Sequence, residues 1–224
     1  MARAPSGDVS APATGAKRRR PSADTEREIL EAAAEVFRTK GYFEATVADI
    51  VAGTSVSRPT FYLYFPSKDA VFRKLVSNAV DELLTVRLST EGLTYRDKVE
   101  AANRQYLVSF QRHRDVLRAL FQMAAFDKEL SLLHGELRRR SMIRLERHLA
   151  RGVAAGICPP METRAAAYAL VSMVEWTSYL WAAADFDPWG TPMSLDAMAA
   201  ELTDLWCRAV YREGIPASRV EPHA

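Results

Sequence analysis

Two helix-starting signals stand close together in the first third of the chain, and they constrain its fold more than any other feature. Thr46 is followed three residues later by Asp49, the spacing of a capping box, in which each side chain bonds the other residue's backbone N–H. Ser57 can start a second helix with Pro59 in its first turn, where the missing N–H of proline costs no helical hydrogen bond. Between them, the segment 53–56 (Gly-Thr-Ser-Val) interrupts the helical pattern. Two short helices joined by a tight turn form a helix-turn-helix unit.

Helical periodicity continues on both sides of this unit, and no stretch alternates for long enough to predict a strand. A first helix is predicted from Asp24 or Thr25 to Gly41, and a fourth from Ser67 to about Leu88. Later segments with the same signals cover residues 94–112, 113–125, 127–155, 162–184 and 194–212. The predicted fold class is therefore all-α, with about nine helices.

The positive charge of the chain is concentrated at its N-terminus. The whole chain has a net charge of +2, but residues 1–22 contain five basic residues and one acidic residue. This segment has few large apolar side chains, so we expect it to be disordered on its own. Its basic residues at 17–20 are compatible with an arm that contacts DNA and equally with an idle tail.

Motifs of enzymes, metal sites and membrane spans are absent from the sequence. The cysteines Cys158 and Cys207 lie far apart, no two histidines have i, i+4 spacing, and no Gly-rich phosphate loop or nucleophile elbow is found. The most apolar run, from Ala165 to Val174, is too short to span a bilayer. We therefore expect a soluble, cytoplasmic protein that is not an enzyme, has no metal or cofactor and binds no membrane.

The segment 57–68 (Ser-Arg-Pro-Thr-Phe-Tyr-Leu-Tyr-Phe-Pro-Ser-Lys) resembles the DNA-binding signature of TetR-family repressors. The resemblance is strong over residues 25–75, and beyond them it depends on length and helical arrangement. It implies an N-terminal three-helix helix-turn-helix DNA-binding domain and a C-terminal helical bundle for ligand binding and dimerisation. We accordingly expect a disordered basic arm at 1–21, the DNA-binding domain at 22–68 and the ligand-binding and dimerisation domain at 69–224.

The chemistry of the predicted third helix suits contact with double-stranded DNA. Arg58 can donate two hydrogen bonds to a guanine edge, and Pro59 and Thr60 can pack against a thymine methyl group. The resemblance implies that phosphates are held by Thr46, Tyr62, Tyr64 and Lys68, as they are by the family's matching positions. Ala48 replaces a base-reading arginine of some relatives, so one direct base contact is expected to be missing. The expected DNA-binding residues are Thr46, Ser57, Arg58, Pro59, Thr60, Tyr62, Tyr64 and Lys68.

Each of these residues also has a purely structural interpretation. Tyr62 and Tyr64 could cap the core with their hydroxyls in water, and an isolated Arg58 would be an ordinary surface residue. Phe61 and Phe65 are interpreted as core residues. The combination of these side chains with the capped turn favours DNA binding.

The last two predicted helices have the apolar surface of a dimer interface. The segment 165–184 is apolar almost all round, so it must be buried on several sides. In the family, the last two long helices pair with their copies, and an apolar stripe from Leu195 to Val210 suits that role in a homodimer. The alternative is that both stripes only close the core of the monomer.

The family resemblance also implies a pocket for a small apolar ligand among the middle helices. Aromatic and methionine side chains can line such a cavity, although for each of them a plain core position is the alternative. Asn103 and Glu175 could orient a polar end of the ligand or face solvent, and the arginine-rich segment 138–151 is interpreted as a solvated face. The candidate ligand-binding residues are Tyr106, Phe110, Phe121, Met142, Met173, Trp176 and Trp181.

Together these patterns predict a ligand-responsive transcriptional repressor that binds palindromic operator DNA as a homodimer. A small apolar or amphipathic molecule in the C-terminal bundle would release it. Two alternatives stay open, namely a transcriptional activator with the same DNA module and a helical ligand-binding protein that does not bind DNA.

Overall fold

The computed structural model of the chain describes residues 22–85, 92–184, 187–191 and 193–211. Within these residues it contains nine α-helices and no strand, which confirms the predicted all-α fold class. The predicted arm at 1–21 lies outside the described residues. The helices are α1 (Ala23–Glu44), α2 (Val47–Ala52), α3 (Arg58–Tyr64), α4 (Lys68–Leu84), α5 (Tyr95–Arg112), α6 (Arg114–Met123), α7 (Lys128–Ala154), α8 (Thr163–Ala182) and α9 (Leu195–Val210).

The first helix begins slightly earlier than the sequence predicts. The N-cap is Ser22, whose hydroxyl oxygen accepts a hydrogen bond from the backbone N–H of Thr25 at 3.2 Å. Thr25 is already inside the helix, so it cannot serve as the cap. Gly41 interrupts the helix as predicted, with φ of 77°, a left-handed conformation that glycine adopts without steric cost.

The fourth helix ends earlier than predicted, at Leu84. The backbone N–H of Thr85 donates to the carbonyls of Asp81 and Glu82, and its hydroxyl donates to the Asp81 carbonyl at 2.7 Å. These bonds satisfy carbonyls that a continuing helix would otherwise use. The predicted end near Leu88 falls in the segment 86–91, outside the described residues.

One apolar core joins the N-terminal helices to the rest of the molecule. Helices α1 and α4 contribute Phe37 and Phe72, whose rings meet edge to face, and α6 packs against both helices. Helix α6 adds Leu117 and Leu120, which are completely buried in the same cluster. The helix-turn-helix is therefore fixed to the bundle through α4 and α6. None of the helices in the described part of the chain is long and apolar enough to cross a membrane.

The remaining helices form two closely packed pairs. Helix α7 lies along α8, and α5 lies along α9 and also contacts α8 and α4. Smaller apolar clusters fill these contacts, one around Leu149 and Leu170 and another around Leu107 and Leu202. This arrangement leaves a cavity between the two pairs.

Candidate nucleic-acid interface and ligand cavity

Local hydrogen bonds fix the two short helices of the helix-turn-helix. The Thr46 hydroxyl accepts from the Asp49 backbone N–H at 3.2 Å, and the Asp49 carboxylate accepts from the Thr46 N–H at 2.9 Å. This is the predicted capping box. In the turn, Val56 is buried beside Ile50 and Phe61, so the apolar sides of α2 and α3 pack on one core. Their opposite sides consequently face away from the protein.

Helix α3 presents a polar face to solvent. Ser57 caps it by accepting from the Thr60 N–H at 3.3 Å, and Ser57, Arg58 and Pro59 are exposed. Tyr62 is 44% exposed, and the Arg58 guanidinium carbon lies 6.0 Å from the centroid of its ring. Six of the eight expected DNA-binding residues thus lie on one short helix or its cap, namely Ser57, Arg58, Pro59, Thr60, Tyr62 and Tyr64.

Two of the expected DNA-binding residues, Tyr64 and Lys68, have structural partners inside the domain. The Tyr64 hydroxyl oxygen accepts a hydrogen bond from the Ser22 N–H at 2.8 Å, which links the end of α3 to the start of α1. The Lys68 ammonium donates to the carbonyls of Tyr42 and Ala45 at 2.8 and 2.9 Å. Lys68 therefore holds the chain that follows Gly41, a role that sequence spacing does not reveal.

A basic residue that the sequence pattern does not single out lies beside α2. The Lys40 ammonium is 2.5 Å from the Asp49 carboxylate, next to the exposed Thr46. The hydrogen bonds from Lys40 and then from Thr46 lower the pKa of Asp49 to about 2. Asp49 therefore keeps its charge near neutral pH, and Lys40 is held at the exposed N-terminal end of α2.

A polar junction connects the helix-turn-helix to the bundle. The Arg73 guanidinium of α4 contacts the carboxylates of Asp127 and Glu129 at 2.9 and 2.7 Å. Asp127 is also the N-cap of α7, where it accepts from the backbone N–H groups of residues 129 and 130. Closer to α3, the Tyr42 hydroxyl bonds the Asp69 carboxylate. Helix α4 is thus tied to both halves of the molecule.

A cavity of about 460 Å³ lies among α4, α5, α7, α8 and α9. Its wall includes Asn103 and Glu175, both of which are buried. Glu175 is only 4% exposed, and its carboxylate accepts from Arg138 Nε at 2.7 Å and lies 2.8 Å from His134 Nε2. Neither Asn103 nor Glu175 faces bulk solvent, and two basic groups compensate the buried carboxylate.

Of the seven candidate ligand-binding residues, Tyr106 lies in the cavity wall, and burial raises the pKa of its hydroxyl. The other six lie elsewhere. Phe110 and Phe121 pack in the main core, Trp176 is half exposed, and Trp181 donates to the Met193 carbonyl at 2.9 Å. Of the two methionine candidates, Met173 packs in the smaller apolar clusters and Met142 is partly buried outside the wall.

The arginine-rich segment of α7 divides between two environments. Arg139 and Arg140 pair with Glu136 on an exposed face, as a solvated surface would predict. Arg138, Arg144 and Arg151 instead line the cavity. Sequence spacing could indicate that the two sets lie on different faces of a helix, but it could not indicate which face borders a cavity.

Within residues 22–85, 92–184, 187–191 and 193–211, no group of three or more His, Cys, Asp or Glu residues could hold a metal ion.

The chain is similar to known proteins over most of its length. It matches the family model described as "Bacterial regulatory proteins, tetR family" over residues 29–75. It also matches the model described as "Tetracyclin repressor-like, C-terminal domain" over residues 92–210.

Individual relatives agree with these matches. The chain is 27% identical to the HTH-type transcriptional regulator EthR of Mycolicibacterium smegmatis, over 88% of this chain and 91% of EthR. Among solved structures, the TetR family transcriptional regulator PfmR from Thermus thermophilus superposes with a TM-score of 0.61 at 24% identity, over 82% of this chain and 99% of PfmR. A tetR-family regulatory protein from Rhodococcus RHA1 has a TM-score of 0.67 at 21% identity, over 85% and 98% of the two chains.

Proposed function

The chain belongs to the TetR family of transcriptional regulators, and on that premise we propose that it is a homodimeric repressor that binds palindromic operator DNA and is released by a small ligand. The observation that carries the proposal is the exposed polar first turn of α3, backed by the buried rings of Phe61 and Phe65. Operator DNA is in the bacterial cytoplasm, so the proposal includes that location.

Helix α3 is proposed to enter the major groove with its N-terminal end foremost. Arg58 is exposed there and can donate both guanidinium branches to guanine O6 and N7. Pro59 and Thr60 follow on the same turn and can contact a thymine methyl group. Ser57 holds this turn in place through its cap, so the reading residues are positioned before DNA binds.

Phosphate contacts are proposed on both sides of α3. Thr46 is exposed at the start of α2, and the Lys40 ammonium lies beside it, paired with Asp49. Tyr62 offers an exposed hydroxyl, and Tyr64 and Lys68 stand at the end of α3 and the start of α4. For Lys68 the proposed phosphate contact would be additional to its bonds with the chain after Gly41.

Exposed apolar side chains on the last two helices support a dimer. Tyr168 and Trp176 of α8 are 64% and 51% exposed, and their spacing places them on one face. Leu205 of α9 is 53% exposed, whereas Leu202 and Val210 are buried within the monomer. A partner subunit would cover the exposed side chains. Two such subunits can place their α3 helices in successive major grooves, about 34–36 Å apart.

Ligand release is proposed to act through α4. Leu83 of α4 lies in the cavity wall, while the first residue of the same helix, Lys68, bonds the chain after Gly41. A ligand that displaces α4 would therefore move the helix-turn-helix and change the distance between the two α3 helices. A coupling of about 1–3 kcal/mol would alter operator affinity by roughly 5- to 150-fold.

The proposal is tested by binding of the purified full chain to the DNA upstream of its own gene, measured by fluorescence anisotropy at moderate ionic strength. We expect a complex with a palindromic fragment that exceeds the affinity for scrambled DNA at least about 10³-fold. Arg58→Ala should lose this preference. Arg139→Ala removes the same charge from a distant face of α7 and should bind as the unaltered chain does.

Equal affinity for both DNA fragments would contradict operator recognition. Where the operator complex does form, a reporter gene controlled by the bound DNA fragment distinguishes a repressor from an activator. Expression that rises when the regulator gene is deleted indicates a repressor, and expression that falls indicates an activator.

A further inference from the structure

We infer that the ligand of the cavity is an amphipathic anion, with an apolar body and one carboxylate or phosphate group bound by basic side chains of α7. This inference depends on the proposed function because it names the chemical class of the releasing ligand. It follows from the charge, the apolar surface and the unpaired polar groups of the cavity wall.

The basic side chains follow one face of α7 toward its C-terminal end. Arg144, His148 and Arg151 are separated by four and three residues, the spacing of one helix face, and all three line the cavity. Among the described residues, Arg144 donates one long hydrogen bond of 3.4 Å, to the Leu84 carbonyl. Neither arginine has a carboxylate within 4.0 Å among the residues that the structure describes. Their charges are therefore available to a ligand.

The environment of His148 indicates that this end of the cavity is positive. Burial lowers the pKa of His148, and the nearby charges of Arg151 and Lys98 lower it further. Lys98 lines an adjoining cavity of about 200 Å³, whose wall also includes His148 and Trp206. Like charges held together raise the electrostatic free energy of the empty site, and a bound anion would lower it.

The opposite end of the cavity cannot accept the anionic group. The Glu175 carboxylate occupies that end, and Arg138 and His134 already bind it. Arg138 and Arg151 are separated along α7 by about 20 Å at the helical rise of 1.5 Å per residue. An anion would therefore bind near Arg144 and Arg151, with its apolar body directed toward the Glu175 end.

The wall beside Glu175 suits an apolar body. Leu137, Val174 and the ring of Tyr106 contribute carbon surface, and the volume lies within the range of about 300–1,000 Å³ typical of pockets that enclose a small molecule. The indole of Trp206 is also in the wall, and its buried Nε1 has no hydrogen-bond partner within the described residues.

The inference is tested by isothermal titration of the full chain with four probes of equal chain length, each below its aggregation concentration. The probes are dodecanoate, dodecyl phosphate, dodecanol and dodecylamine. We expect dodecanoate or dodecyl phosphate to bind at least about tenfold more tightly than dodecanol, because a hydrogen bond to a charged group is stronger than one to a neutral group. Dodecylamine should bind most weakly of the four, because its positive charge is repelled by the arginines. Whichever anion binds more tightly identifies the headgroup.

Variants test whether the proposed residues hold the headgroup. Arg144→Gln and Arg151→Gln should each weaken binding of the preferred anion about tenfold and leave dodecanol binding unchanged. Arg139→Gln, on the exposed face of the same helix, gives the chain the same net charge as the other two variants. It should bind the anion as the unaltered chain does. Equal affinity for anion and alcohol, or equal anion binding by all three variants, would overturn the inference.

Operator binding is measured first on the same preparation. A failure of the proposed function can then be distinguished from a failure of the inference about the ligand. A chain that binds the operator but does not prefer the anionic probes contradicts this inference alone. A chain that binds the anions but prefers no DNA sequence contradicts the proposed function.

Discussion

The Arg73 guanidinium lies 2.9 Å from the carboxylate of Asp127, and this contact joins the helix that follows the DNA-binding unit to the N-cap residue of α7. Asp127 has two tasks, because it caps α7 and pairs with Arg73. The Leu130 backbone N–H and then Arg73 lower its pKa, so its carboxylate remains charged near neutral pH.

Asp127→Ala should decrease the free energy of unfolding, because it removes the cap of α7 and one of the two carboxylates that pair with Arg73. Asp127→Asn keeps a capping oxygen but no charge and should cost less than the alanine variant. Urea denaturation of both variants checks this order. Equal stability of the alanine variant and the unaltered chain would show that the cap is dispensable.

Arg58→Lys should retain affinity for random DNA but lose base preference, because lysine keeps the charge and lacks the planar fork. The expected loss at the contacted base pair is about 1–3 kcal/mol of discrimination. Competition with operators altered at single positions measures it. If discrimination at every position survives in Arg58→Lys, Arg58 does not read a base.

Lys68→Met should affect both folding and DNA binding. The ammonium bonds two carbonyls of the segment after Gly41, so we expect a loss of about 1–3 kcal/mol in the free energy of unfolding. If Lys68 also contacts a phosphate, the slope of log affinity against log salt becomes shallower by about one unit. A lower stability with an unchanged slope would limit Lys68 to its structural role.

The stability of the chain should decrease as the pH falls below about 6.5, and His148 should contribute to this decrease. The pKa of His148 is lowered in the folded chain, so the unfolded chain takes up a proton first and is favoured. This destabilising effect of His148 is absent above its pKa in the unfolded chain. It grows as the pH falls toward its lower pKa in the folded chain. Thermal unfolding of the unaltered chain and of His148→Gln between pH 8 and 5 should diverge in this way, and parallel curves would contradict it.

Gly152→Ala should destabilise the chain because a methyl group at this position would lie 2.5 Å from the Cys158 sulfur. Gly152 and Cys158 are both buried, so the Cys158 sulfur would have to move within a packed environment to relieve the contact. We expect a loss of about 1–3 kcal/mol in the free energy of unfolding. The double variant with Cys158→Ala should recover part of it, and simple additivity of the two changes would argue against this clash.

The helices and their starts could be predicted because their signals are local. The capping pairs at Thr46 and Thr94 involve a partner only three residues away, and the structure forms both. Periodic apolar residues likewise identify which side of a helix is buried, as with Phe61 and Phe65. The family resemblance of the third helix is local for the same reason, and it extends correctly to the fold of the described residues.

The sequence by itself thus determined the helices, their caps apart from that of α1, and the class of DNA-binding module. Only the tertiary structure decided where the cavity lies, that Glu175 is buried against His134 and Arg138, and that Lys68 holds the chain after Gly41. These contacts join residues more than twenty positions apart. A polar residue on a helix faces water, a partner or a cavity according to which other helix packs beside it, and no local pattern encodes that choice.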